Sequence, residues 1–113
     1  MRAVIGVLLA AVLAGCAAPQ ATVMDRLAAL EGVEVERRNL ENPMLEEFEL
    51  TMRQPLDHQA PGLDAFDQRV LVQHRGFDRP TVLITEGYVL GDNQIAELAE
   101  MLDANQVRLE HRY

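Results

Sequence analysis

From residue 48 the chain alternates. Phe48, Leu50 and Met52 face one way and Glu49, Thr51 and Arg53 the other, which predicts a strand with one buried face. Gln54 to Ala65 holds two prolines and a Pro61-Gly62 pair and reads as a loop. Phe66 to Gln73 predicts a second strand, with Val70 and Val72 on one face, and Gly76 to Pro80 turns the chain. Thr81 to Thr85 carries the unbroken run Val82-Leu83-Ile84, the pattern of a strand buried on both faces.

A change of period follows. After a loop at Gly87 to Gly91, Asp92 or Asn93 can cap a helix running from Asn93 to Ala104. Its apolar positions 95, 98, 99, 101 and 102 form one stripe. Asn105 suits a left-handed exit, and Gln106 to His111 alternates again as a strand. Upstream, Val23 to Leu30 predicts a short amphipathic helix ended by Gly32, and Val33 to Glu36 an edge strand. Arg37 to Pro43 is polar and turn-prone. The order strand, strand, strand, helix, strand predicts the α/β class, with antiparallel pairs followed by a right-handed βαβ crossover.

The N-terminus obeys neither period. Arg2 precedes small and apolar residues from Ala3 to Val12, and then comes Leu13-Ala14-Gly15-Cys16. Charge, apolar run and small-residue exit are those of a secretory signal peptide. Leu-Ala-Gly-Cys resembles the lipobox of bacterial lipoproteins, in which the cysteine is acylated and becomes the first mature residue. The run is too short for a spanning helix, which needs about 20 residues. Residues 1–15 are therefore expected to be a lipoprotein signal peptide, 16–22 a tether lipidated at Cys16, and 23–113 the folded part. Ala17, in place of an inner-membrane retention aspartate, favours the periplasmic leaflet of an outer membrane. The membrane is thus the first expected partner, and stable anchoring takes more than one acyl chain.

Composition narrows the chemistry. The formal charge of the 113 residues is −8, and loss of Arg2 with the signal leaves nine arginines against eighteen acids. That balance argues against nucleic acid, which needs a basic surface. Cys16 is the one cysteine, so no internal disulfide can form. His58, His74 and His111 have no metal-ligand spacing, and structural roles are expected of them. Asp57-His58 and Glu110-Arg112 are expected to tie loops to strand ends. No metal and no cofactor is implied. The sequence also contains no serine.

Five segments carry a resemblance. Asn42-Pro43 to Phe48, Gln54-Pro55-Leu56-Asp57-His58, Phe66-Asp67-Gln68-Arg69-Val70, Glu86-Gly87-Tyr88 and Glu110-His111-Arg112-Tyr113 occur in the order and spacing of the secreted tripeptidyl aminopeptidases of actinomycetes. The last segment is also similar to the prolyl carboxypeptidase and dipeptidyl peptidase family. The resemblance implies the N-terminal portion of an α/β-hydrolase sheet, incomplete here, with a Ser-Asp-His triad lying further along. It implies that the loop Glu86-Gly87-Tyr88-Val89 donates backbone N–H groups to an oxyanion, with Gly87 and Tyr88 as the donors. Glu86 is then placed to receive the free α-ammonium of a peptide substrate.

With no serine, the catalytic residues are expected outside these 113, and Thr85 is the first suspect should the chain prove reactive. The expected reading is thus an inactive N-terminal part of a serine aminopeptidase whose partner is a missing C-terminal half. A binding or scaffold lipoprotein, and one chain of a split enzyme, are the alternatives. In the implied fold the third strand would lose a neighbour, leaving Val82-Leu83-Ile84 as an open edge on a marginally folded, associating chain. Metabolic labelling with palmitate should mark the wild-type product, and Cys16→Ala should abolish the label. A soluble, unlabelled wild-type protein overturns the lipidation reading.

Overall fold

The computed structural model describes residues 19–38, 45–87, 90–91 and 94–111. The expected signal peptide, Cys16, Asn42-Pro43, Tyr88, Val89, the expected caps Asp92 and Asn93, and Arg112-Tyr113 lie outside the described residues. The first element is α1, Val23–Ala28. Thr22 starts it with a capping box: its Oγ1 accepts from the Asp25 N–H at 3.1 Å, and Asp25 Oδ2 accepts from the Thr22 N–H at 2.9 Å. The Thr22 hydroxyl, then its backbone N–H, hold the Asp25 carboxyl below the usual carboxylate range. The helix ends at Ala28, short of Leu30. Gly32 then turns the chain with φ +69°, a conformation that favours glycine, and its carbonyl accepts from Arg53 N–H at 2.9 Å.

Five strands follow: β1 (Val33–Arg38), β2 (Glu46–Pro55), β3 (Ala65–His74), β4 (Thr81–Thr85) and β5 (Asn105–Leu109), with α2 (Glu97–Met101) between the last two. Their order across the sheet is β1-β2-β3-β5-β4. β1 pairs antiparallel with β2 from Val33↔Met52 to Arg38↔Glu47, and β2 with β3 from Glu46↔His74 to Pro55↔Ala65. β5 enters antiparallel to β3 and parallel to β4.

One sheet face is apolar because the register lines up the alternating residues. Val35, Leu50, Val70 and Leu109 form one cross-strand row, and Phe48, Val72 and Val107 the next. Val23, Met24 and Leu27 of α1 pack on this face. Phe48 is fully buried there, worth about 1.5–3 kcal/mol for a side chain of its kind.

This architecture corrects the expected fold class. The molecule is mostly strand: a five-stranded, mixed, open sheet with short helices among the described residues, and not a three-strand, helix, strand portion of an α/β-hydrolase sheet. Two physical causes are visible. β1 runs to Arg38, past the expected edge strand, and pairs with β2 over its whole length, which adds a strand to the antiparallel part of the sheet. The expected helix from Asn93 to Ala104 shrinks to five residues because a side chain takes the backbone groups that would extend it. Gln106 Oε1 accepts from the Ala96 N–H at 2.7 Å, and Gln106 Nε2 donates to the Gln94 carbonyl at 2.9 Å. Ala96 stays extended as the N-cap.

One smaller expectation changes with it. Asp103, at φ 49°, is the left-handed exit of α2, with Ala104 N–H bonded to the Ala99 carbonyl at 2.8 Å in a Schellman arrangement. Asn105 instead opens β5 and secures the β3–β4 turn. Its Oδ1 accepts from the N–H groups of Arg75 and Gly76, and its Nδ2 donates to the carbonyls of Gly76 and Arg79. The run Val82-Leu83-Ile84, patterned for burial on both faces, lies at the open edge expected of it.

The face opposite α1 carries charge. Glu49 accepts from Arg69 Nε at 2.7 Å and meets Arg38 at 3.3 Å. The Arg69 hydrogen bond, with the charges of Arg69 and Arg38, outweighs burial and lowers the Glu49 carboxyl below the usual carboxylate range. A carboxyl lowered by folding stabilises fully above its unfolded value, near 4.5, and that contribution fades as pH falls through the depressed value. Denaturant midpoints taken from about pH 6 to about pH 3 should therefore fall, and Glu49→Gln should remove part of that slope. An identical slope in the variant would show that the pair contributes nothing to folding.

Candidate functional site at the ends of the parallel strands

β4 and β5 run in the same direction, so their carboxyl ends leave the sheet side by side. Glu86 N–H donates to the Leu109 carbonyl at 3.0 Å, which sets Glu86-Gly87 beside Glu110-His111. β3 joins them. Glu110 N–H donates to the Arg69 carbonyl at 3.1 Å, Arg69 N–H to Glu110 Oε2 at 3.2 Å, and Gln68 Nε2 to the Glu110 carbonyl at 2.8 Å. The segments Asp67-Gln68-Arg69, Glu86-Gly87 and Glu110-His111, far apart in sequence, thus meet at one end of the sheet.

Glu86 sits in an ion pair. Arg108 Nη1 donates to its Oε1 at 3.0 Å, with both side chains largely shielded. A guanidinium bond of this kind is stronger than a neutral one and orients the carboxylate. Gly87 is exposed, its φ is not left-handed, and a Cβ added there would meet nothing within 4 Å. Among the described residues, neither packing nor backbone conformation demands glycine at 87. Thr85 is exposed at the end of β4.

The far end of the same loop is anchored by Gln106, which is 1% exposed. Its Nε2 also donates to Gln73 Oε1 at 3.2 Å. Gln106 and Arg108 are two residues apart on β5 and so share a face. Between them they hold both feet of the loop 86–96. Neither was singled out from the sequence, because alternation assigns both to a polar, solvated face. The signal that could have found Gln106 is tertiary: α2 and its lead-in cover that face.

The other residues of interest are structural in their contacts. Asp57 Oδ1 accepts from Gln59 N–H at 2.8 Å, a local turn bond, and His58 beside it is exposed. His74 Nδ1 lies 3.5 Å from Glu46 Oε2, and its ring tilts against Phe77 at 4.8 Å. Arg26 of α1 stacks over the same Phe77 at 4.1 Å, so this column ties α1 to the β3–β4 turn. His111 is exposed beside Glu110. Among the described residues no group of three or more His, Cys, Asp or Glu converges as for a metal. A shallow concavity of about 370 Å³ lies between β1, β2 and β3, lined by Glu34, Thr51, Arg53 and Asp67 among others, and not by Glu86 or Gly87.

Comparison with known proteins places the chain in a family. The model of the PS-10 peptidase S37 family matches residues 17–113, and the chain belongs to that family. It is 37% identical over 102 residues to the prolyl tri/tetrapeptidyl aminopeptidase of Streptomyces mobaraensis, a match covering 88% of this chain and 21% of that protein. The chain therefore spans about a fifth of the length of that curated relative. No solved structure matches.

The Gln106 bonds generate a test. Gln106→Leu removes the side-chain partner of the half-buried Ala96 N–H and of the Gln94 carbonyl, a loss of about 0.5–1.5 kcal/mol per hydrogen bond. Amide exchange at Ala96 should accelerate in the variant while β1–β2 amides keep their protection. An unchanged rate at Ala96 would show that the loop is held elsewhere.

Proposed function

We propose that the protein to which these residues belong hydrolyses peptides from free N-termini, in the manner the name of its Streptomyces relative describes. The observation that carries this reading is the family match over residues 17–113 together with 37% identity to a tri/tetrapeptidyl aminopeptidase. Within that activity this stretch supplies a loop facing the substrate and not the nucleophile. It has no serine, so a serine attacking group comes from elsewhere.

The backbone N–H groups at Gly87 and Tyr88 are the proposed donors to the developing oxyanion. A glycine that packing does not require is consistent with close approach of a ligand. Glu86 is the proposed acceptor for the substrate's α-ammonium. Arg108 takes Oε1, so the ammonium would share the carboxylate through Oε2. That sharing weakens Glu86 as an ammonium anchor and makes loop closure its firmer role. Cys16 is the proposed lipid attachment point, supported by the Leu13-Ala14-Gly15-Cys16 sequence behind an apolar run, and it would hold the protein on the periplasmic side of the envelope.

The reading is tested by exchanging residues 17–113 into the Streptomyces enzyme in place of its matching segment. The chimera should release tripeptides from free N-termini. Within it, Glu86→Gln should raise KM for free-amine peptides and spare N-blocked esters. A folded but inactive chimera contradicts the functional reading, and equal losses on both substrates contradict the role of Glu86 alone.

A further inference from the structure

Arg108 is held more firmly than a surface arginine. It stands in register between Leu71 of β3 and Ile84 of β4, on the face opposite α1. Leu71 is fully buried, and Gln106, two positions earlier on β5, is buried as well. The Arg108 side chain keeps 15% of its surface and that of Glu86 27%. Apolar neighbours in the same row suit the stem of an arginine, and partial exclusion of water strengthens its bond to the carboxylate.

Glu86 is fixed twice, and both times to β5. Its backbone N–H donates to the Leu109 carbonyl, and its Oε1 accepts from Arg108 Nη1, each at 3.0 Å. The next peptide unit ends in the Gly87 N–H, so the backbone angles of Glu86 set the direction in which that N–H points. Gly87 does not supply the restraint itself, because a Cβ added there would meet nothing within 4 Å. A half-buried ion pair adds little net stability, since dehydration of the two charges offsets their attraction. What it supplies here is geometry.

We infer that Arg108 is a positioning residue for peptide hydrolysis, acting through Glu86 on the direction of the Gly87 N–H. The inference rests on the peptidase activity proposed for the protein. Arg108 touches no substrate in this role. It orients a donor before the reaction begins, so its effect falls on the transition state and is read in kcat. Recognition of the substrate ammonium by Glu86 Oε2 is read in KM instead. The two roles separate by substitution, because a glutamine at 86 keeps a side-chain oxygen for Arg108 whereas a methionine at 108 removes every donor.

The test places Arg108→Met and Arg108→Lys in the Streptomyces chimera that carries residues 17–113. N-blocked esters isolate the loop from ammonium binding. On them Arg108→Met should lower kcat about 10- to 100-fold, the cost of a misplaced donor, with KM within about twofold of the unsubstituted chimera. Arg108→Lys keeps the cation without the planar fork and should lie between the two. Hydrogen exchange over residues 84–87 should be at least about tenfold faster in Arg108→Met and intermediate in Arg108→Lys, with residues 46–55 of β2 unchanged. A raised KM with unchanged kcat overturns the inference, because Arg108 then serves binding. Unchanged exchange over 84–87 overturns it too, since Glu86 is then held by something else. Faster exchange in β2 as well, with Arg108→Lys no better than Arg108→Met, shows a role in folding alone and also overturns it. An unsubstituted chimera that folds but cleaves nothing contradicts the peptidase reading, and the exchange result then decides separately whether Arg108 sets the loop.

Discussion

The position of β5 between β3 and β4 is the constraint on which the rest depends. A strand that is antiparallel to one neighbour and parallel to the other joins the β1-β2-β3 meander to the β4 edge. Each of its described polar side chains then secures something outside the strand. Asn105 holds the β3–β4 turn, Gln106 holds the lead-in to α2, and Arg108 holds Glu86. Buried polar groups are costly unless bonded, so burial of the Asn105 and Gln106 side chains also fixes the loops that satisfy them.

The same strand explains why the candidate site lies where it does. The segments that carry the resemblance, from β3 and from the ends of β4 and β5, converge because Glu110 bonds to Arg69 and Glu86 bonds to Leu109 and Arg108. The apolar face under α1 gives the sheet its stability, and the opposite face carries the ion pairs and amide chain that orient the loop 86–96. Division of labour between faces follows from the strand period of two.

Much of this was legible along the chain. Alternation located β2, β3 and β5 to within a few residues, and the run at 81–85 located β4. The resemblance carried by Asp67-Gln68-Arg69, Glu86-Gly87 and Glu110-His111 agrees with the family to which the chain belongs. What failed was whatever depends on tertiary partners. The apolar stripe at 95–102 predicted a long buried helix, but Gln106 captures the backbone at Gln94 and Ala96 and leaves five helical residues. Val33 to Glu36 reads as an edge strand, as the sheet order has it, but the strand runs on to Arg38 and its full pairing with β2 shifts the balance from α/β to a mostly-strand sheet. The bonding roles of Gln106 and Arg108 are invisible to periodicity, which sorts residues by polarity and not by what covers them.

Native-state hydrogen exchange as a function of denaturant tests the role of β5 most directly. The account predicts that the amides of Val107 and Leu109 open only with global unfolding, together with those of Val70 and Val72 on β3, while α2 opens at lower free energy. If β5 instead opens together with β4 and α2 as a separate unit, leaving β1, β2 and β3 protected, the strand is an appendage and the account is wrong.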